Sequence, residues 1–210
     1  MNRRFAFLAP LALGLCAPLA LSACASLLPA QKYIPRTTWP LDPQPPAQNP
    51  ANPSGPILMV RAITAAPGLD QQGLQSLAPG GSLNIDYYNN WAAAPADAVT
   101  QALINWTQAS GAFSAVISPG SRLTPALILE GELTTLLADP EKNQATAVLT
   151  LVVIKPAAGL TASALPLVQE RITGTAPLQG ATPAAQAAAQ TAALANALTQ
   201  AITLLTRQAR

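Results

Sequence analysis

Glu130 and Glu132 stand two residues apart in "ALILEGELTTLLAD" (residues 126–139), so in a strand both carboxylates project from one face. A carboxylate pair of this kind can do acid–base chemistry. Beside Thr134 it also fits a solvated sheet face, which is the more ordinary use. Little else in the chain offers chemistry. Histidine is absent, which removes the commonest general base and metal ligand. No serine lies in a Gly-x-Ser-x-Gly setting, and no glycine-rich turn links a strand to a helix as a phosphate loop requires. The expectation is a protein that is not an enzyme, with no catalytic residue, no metal site and no cofactor. One reactive side chain is left to explain. Cys24 falls just past an apolar stretch, and the only other cysteine is Cys16.

The first 24 residues divide into three zones: Arg3 and Arg4, an apolar run over 5–21 interrupted by Pro10, Gly14 and Pro18, then Leu21-Ser22-Ala23-Cys24. That order is the order of a secretory signal. A run of about 17 residues with internal prolines is a poor spanning helix, which needs roughly 20. Leu-Ser-Ala-Cys resembles the bacterial lipobox. The resemblance implies cleavage before Cys24, a thioether-linked diacylglyceryl group on its sulfur and acylation, palmitate included, of the new N-terminus. Two or three chains, at about 0.8 kcal/mol per buried CH₂, anchor a protein firmly. With Ala25 and Ser26 following the cysteine, the resemblance to enterobacterial sorting implies the outer membrane, on its periplasmic face, over the inner one.

The chain carries 11 Lys+Arg against 9 Asp+Glu; without Arg3 and Arg4 the two signs balance. No basic run follows Arg4, so nucleic acid is not an expected partner. Residues 24–55 read as the lipidated cysteine and a linker, because Pro40, Pro43, Pro45, Pro46, Pro50 and Pro53 exclude a helix or an interior strand. Extended at about 3.1 Å per residue, such a tether reaches roughly 100 Å. The alternative for Thr37–Leu41 is an edge strand docked through Trp39.

From residue 56 to 210 the pattern is that of one domain. Strands are expected over 57–66, 82–91, 112–118, 126–139, 144–156 and 165–178, with a loop over 67–81. Helices are expected from Pro95 to Gly111, with Val99, Leu103 and Trp106 on one face, and from Thr182 onward, with Ala187, Thr191, Leu194, Leu198, Ile202 and Leu205 on one face. The order gives an α+β fold: a mostly antiparallel β-sheet with two α-helices packed on one face, preceded by the Pro-rich tether. Tyr87 and Trp106 are expected in the core. Tyr88 and Trp91 are the candidate partner contacts, since an exposed aromatic suits a protein or lipid surface.

A lipobox, a linker, a first strand followed by "APGLD", then "IDYYNNWAAAPADAV" and "GAFSAVI" together resemble the ABC-type transport auxiliary lipoprotein family over about 56–210. The lipoprotein component of the Pqi-like intermembrane transport systems is the best-studied type. The resemblance implies a non-catalytic accessory subunit of an ABC/MCE-type phospholipid transport system, docking the MCE conduit at the outer membrane. Its partners would be an MCE-domain protein and the ABC permease and ATPase, with self-association into a homo-oligomer as a further expectation. Two other readings stay open: an envelope-assembly or cell-wall synthase-activating lipoprotein, and a periplasmic hydrolase built on Glu130 and Glu132.

Overall fold

The computed structural model describes residues 33–157 and 163–210. Two units separate, Met1–Pro35 and Arg36–Arg210. In the first, Tyr33 and Ile34 are exposed and outside regular structure. The second holds all the strands and helices among the described residues.

Nine strands form one mixed sheet: β1 (Thr37–Trp39), β2 (Ile57–Val60), β3 (Thr64–Ala65), β4 (Gly73–Leu77), β5 (Leu83–Trp91), β6 (Ala115–Ile117), β7 (Leu127–Asp139), β8 (Gln144–Lys155) and β9 (Leu165–Pro177). Helix α1 (Pro95–Ser110) lies between β5 and β6, and α2 (Pro183–Gln208) closes the chain. The long ladders β7–β8, β8–β9 and β4–β5 are antiparallel. The short strands join in parallel: β1 on β5, β2 on both β6 and β7, β3 and β4 on β7. The fold is therefore α+β as expected, with a parallel component that strand-by-strand periodicity does not encode.

Local chemistry accounts for the long elements. Apolar residues alternate along β7 and β8, and the corner at Asp139–Gln144 is a turn in which Asn143 takes φ 50°. Asp139 fixes that corner: its carboxylate accepts from the Lys142 backbone N–H at 3.2 Å and from Lys142 Nζ at 2.8 Å. The lysine's hydrogen bond holds the Asp139 carboxyl below its ordinary value, against a smaller opposing push from burial; the Lys142 ammonium is raised in return. Pro95 opens α1, Asp97 sits in its positive first turn, and Gly111 ends it in the left-handed conformation at φ 70°. Thr182 caps α2 by accepting from the Ala185 N–H at 3.3 Å.

The two helices pack on one face, α1 against β2, β3, β6 and β7, α2 against β9, β8, β7 and β4, and they touch each other. Leu58, Leu103, Leu129, Leu133, Leu149, Leu151, Leu194 and Leu198 are fully buried between them. The alanine stripe Ala193, Ala197 and Ala201 brings the α2 backbone down onto β9. It comes so close at Gly174 that a Cβ there would run into the carbonyl O of Ala193 and the amide N of Ala197.

Three expectations are corrected. The loop expected over 67–81 contains β4, whose Leu74, Gln75 and Ser76 are buried; Gln190 of α2 donates through Nε2 to the Gln75 carbonyl at 3.0 Å. The single strand expected over 57–66 is broken at Arg61–Ile63, where the Ile63 N–H leaves the sheet to reach Thr100 Oγ1 at 2.9 Å. The proline-rich stretch is not free beyond Thr37. After β1, Leu41 and Pro43 are buried, the Pro43 carbonyl accepts from Trp106 Nε1 at 2.7 Å, and the N–H groups of Asn49 and Asn52 donate to the carbonyls of Ala109 and Gly111 at 2.9 and 3.0 Å. Residues 37–55 thus belong to the domain, with β1 on β5 and residues 43–52 against α1 and its C-terminal end. The prolines exclude regular structure, but docking needs only extended backbone and a buried indole in search of an acceptor. The rest of the expected linker and Cys24 fall outside the described residues, apart from residues 33–36.

Candidate partner-binding surface

The candidate contacts sit where β5 departs from regular pairing. Its register against β4 runs from Gln75↔Ile85 to Gly73↔Asn90, so the four residues Asp86–Asn89 stand opposite Leu74 alone and arch out of the ladder. Asp86 holds the arch. Its Oδ1 accepts from the N–H groups of Tyr88 and Asn89 at 2.8 and 3.0 Å, and its Oδ2 accepts from Asn89 Nδ2 at 2.9 Å. Asn89 Oδ1 accepts in turn from Trp39 Nε1 at 3.3 Å, tying the arch to β1.

The arch reverses two of the aromatic assignments. Trp91 is 2 % exposed and belongs to the core, so it is not a partner contact. Tyr87, expected inside, is 65 % exposed. Strict alternation fails because the bulge turns both tyrosines outward; pairing resumes at Asn89 on the β1 side and at Asn90 on the β4 side. Tyr88 is exposed, as expected, and Trp106 is buried, as expected. The two tyrosine rings meet edge to face at 5.2 Å, and the Arg36 guanidinium lies over the Tyr87 ring at 4.2 Å. Asp70, Gln72, Ile85, Asp86 and Tyr87 border a shallow depression of 510 Å³ beside this pair. A second, more apolar groove of 500 Å³ runs between the docked proline-rich stretch and α2, lined by Trp39, Pro40, Pro43, Ala188, Ala192 and Ala195. The groove is not legible in a sequence whose prolines read as a linker up to residue 55; the docked-strand alternative for Thr37–Leu41 and the buried indole of Trp106, which needs an acceptor, are the signals that point to it.

Glu130 and Glu132 do share the face away from the helices, opposite Val152 and Thr150. Glu130 is committed to Arg61 Nη1 at 2.5 Å, and Thr64 Oγ1 donates to the Gly131 carbonyl between the two carboxylates at 3.3 Å. This is a partnered, half-exposed sheet surface with an ion pair across it. Among the described residues no three His, Cys, Asp or Glu side chains cluster as a metal site, and no helix is long and apolar enough to cross a membrane.

The chain belongs to the family of the ABC-type transport auxiliary lipoprotein component, whose model matches residues 39–203. That span begins at Trp39, in agreement with a domain that includes the docked proline-rich stretch. Among solved structures, protein XCC0632 from Xanthomonas campestris, of family DUF330, is similar at 21% identity with a TM-score of 0.64, covering 82% of this chain and 97% of its own. An uncharacterized protein is similar at 11% identity and TM-score 0.59, covering 83% of this chain and 99% of its own. At those identities the likeness is one of fold. No curated protein matches the chain by sequence.

Proposed function

We propose that this protein is a lipid-anchored, non-catalytic accessory subunit of an ABC/MCE-type intermembrane phospholipid transport system, docking the MCE conduit from the periplasmic face of the outer membrane. The observation that carries this reading is the family match, which runs from the last residue of β1 into α2. The sites support it. Glu130 of the carboxylate pair is engaged by Arg61, while Tyr87 and Tyr88 stand exposed on a hydrogen-bonded arch. Aromatics held in one conformation are efficient protein contacts, because little side-chain entropy is lost on binding. Cys24 provides the anchor through the diacylglyceryl thioether on its sulfur and its acylated α-amine, and no cofactor takes part.

Affinity purification of the full lipoprotein from detergent-solubilised membranes tests this. The reading expects an MCE-domain protein, a permease and an ATPase to be recovered in fixed ratio. Recovery of a penicillin-binding protein in their place, or of no transporter subunit, contradicts it. Replacing Glu130 and Glu132 by Gln together is expected to leave transport unchanged; loss of transport with the fold intact would favour a hydrolase.

A further inference from the structure

The free edges of the sheet are unequal. β1 and β6 are three residues long, whereas β9 runs for thirteen and pairs only with β8. Long edges are normally blunted, since their unpaired N–H and C=O groups recruit other strands. Half of β9 is blunted. The carbonyls of Thr173 and Thr175 accept from Gln200 Nε2 at 2.9 Å and Asn196 Nδ2 at 2.8 Å, so α2 closes that stretch with its own side chains. These bonds also show which residues turn their backbone to the outer side. Strand backbone alternates residue by residue, and the register opposite β8 is unbroken from Pro177 back to Val168. Arg171 and Gln169 therefore present their N–H and C=O outward too, and among the described residues nothing meets them there. Just beyond, Leu165 and Leu167 are 58 % and 43 % exposed.

We propose that Leu165–Arg171 is a strand-addition edge that takes an extended apolar segment of the transport system's MCE-domain subunit. This rests on the function proposed above and names the docking surface. The chemistry selects the occupant. Only another extended backbone matches alternating donors and acceptors at this spacing. Lipid tails leave those groups unsatisfied. A second copy in antiparallel pairing sets Glu170 against Glu170, or Arg171 against Arg171, in the registers centred on those residues; centred on Gln169, it sets Glu170 against Val168. An apolar segment lying along Leu165 and Leu167 meets none of these conflicts.

Amide hydrogen exchange on the full lipoprotein, with and without the purified periplasmic part of the MCE subunit, tests the proposal. The amides of Gln169 and Arg171 are expected to exchange at least tenfold more slowly in the complex. Gln169→Pro removes one outward N–H and leaves the β8 ladder intact; Leu167→Asp leaves the whole backbone intact. Each is expected to weaken binding about tenfold or more without changing the fold. Binding with unchanged exchange at both amides overturns the edge and leaves the proposed function standing. No binding overturns both. Protection of both amides without the subunit, in a species of dimer mass, overturns the proposal in favour of a second copy.

Discussion

At the scale of single residues, the aromatic positions separate contact from core. Trp91 is closed into the sheet, and Trp91→Ala is expected to cost about 3–5 kcal/mol in chemical denaturation. Tyr88→Ala, at an exposed position, is expected to stay within about 0.5 kcal/mol of the parent. Equal losses at the two sites would contradict the arch geometry. The Asp139–Lys142 corner carries a pH dependence whose sign follows from its two shifts. The Asp139 carboxyl is held below 3.8, so its contribution is present above that value and is lost as pH falls through the lower folded value. The Lys142 ammonium is held above 10.5, so its part is present below that and is lost as pH rises through the higher folded value. The stability difference between the parent and Asp139→Asn, followed by denaturation from pH 7 downward, is expected to shrink only below about pH 4. A difference that vanishes between pH 5 and 7 would contradict this. Which aromatic lay inside was not legible from the sequence, because alternation through "IDYYNNW" assumes an unbroken ladder. The capacity of Asp86 to capture two backbone N–H groups is what breaks it.

At the scale of elements, both helices and the β7–β8–β9 meander were legible, since each carries its period, its breaker and its cap in sequence. What was not legible depends on partners distant in the chain. β4 has no periodicity of its own, and it is a strand because β5, β7 and Gln190 satisfy its backbone. The apolar alternation of β7 also shifts phase: register slips between Leu133 and Thr135, so Leu136 and Ala138 face the core in place of Leu137. The tightest joint is α2 on Gly174. Gly174→Ala forces a methyl into the α2 backbone and is expected to destabilise by about 1–3 kcal/mol, read from the denaturation midpoint. An unchanged midpoint would show that helix and strand are further apart. The docked proline-rich stretch is tested by exchange: the amides of Asn49 and Asn52, which donate to Ala109 and Gly111, are expected to be protected. Exchange at the rate of an unstructured chain would restore the free tether.

At the scale of the whole molecule, the domain offers three surfaces: an aromatic arch on β5, an apolar groove along α2 and an open half-edge on β9. The place of contact was not legible, because exposure at Leu165 and Leu167 follows from β9 lying last in the sheet. Surfaces of this kind act only if the domain is held where its partner ends, which makes the Cys24 anchor the premise of the whole account. Mass spectrometry of the protein extracted from membranes measures it directly. The account predicts an N-terminal tryptic peptide running from Cys24 to Lys32, with a diacylglyceryl thioether on the sulfur and an acylated α-amine. A free Cys24 thiol, or a mature chain that starts at any other residue, would contradict it.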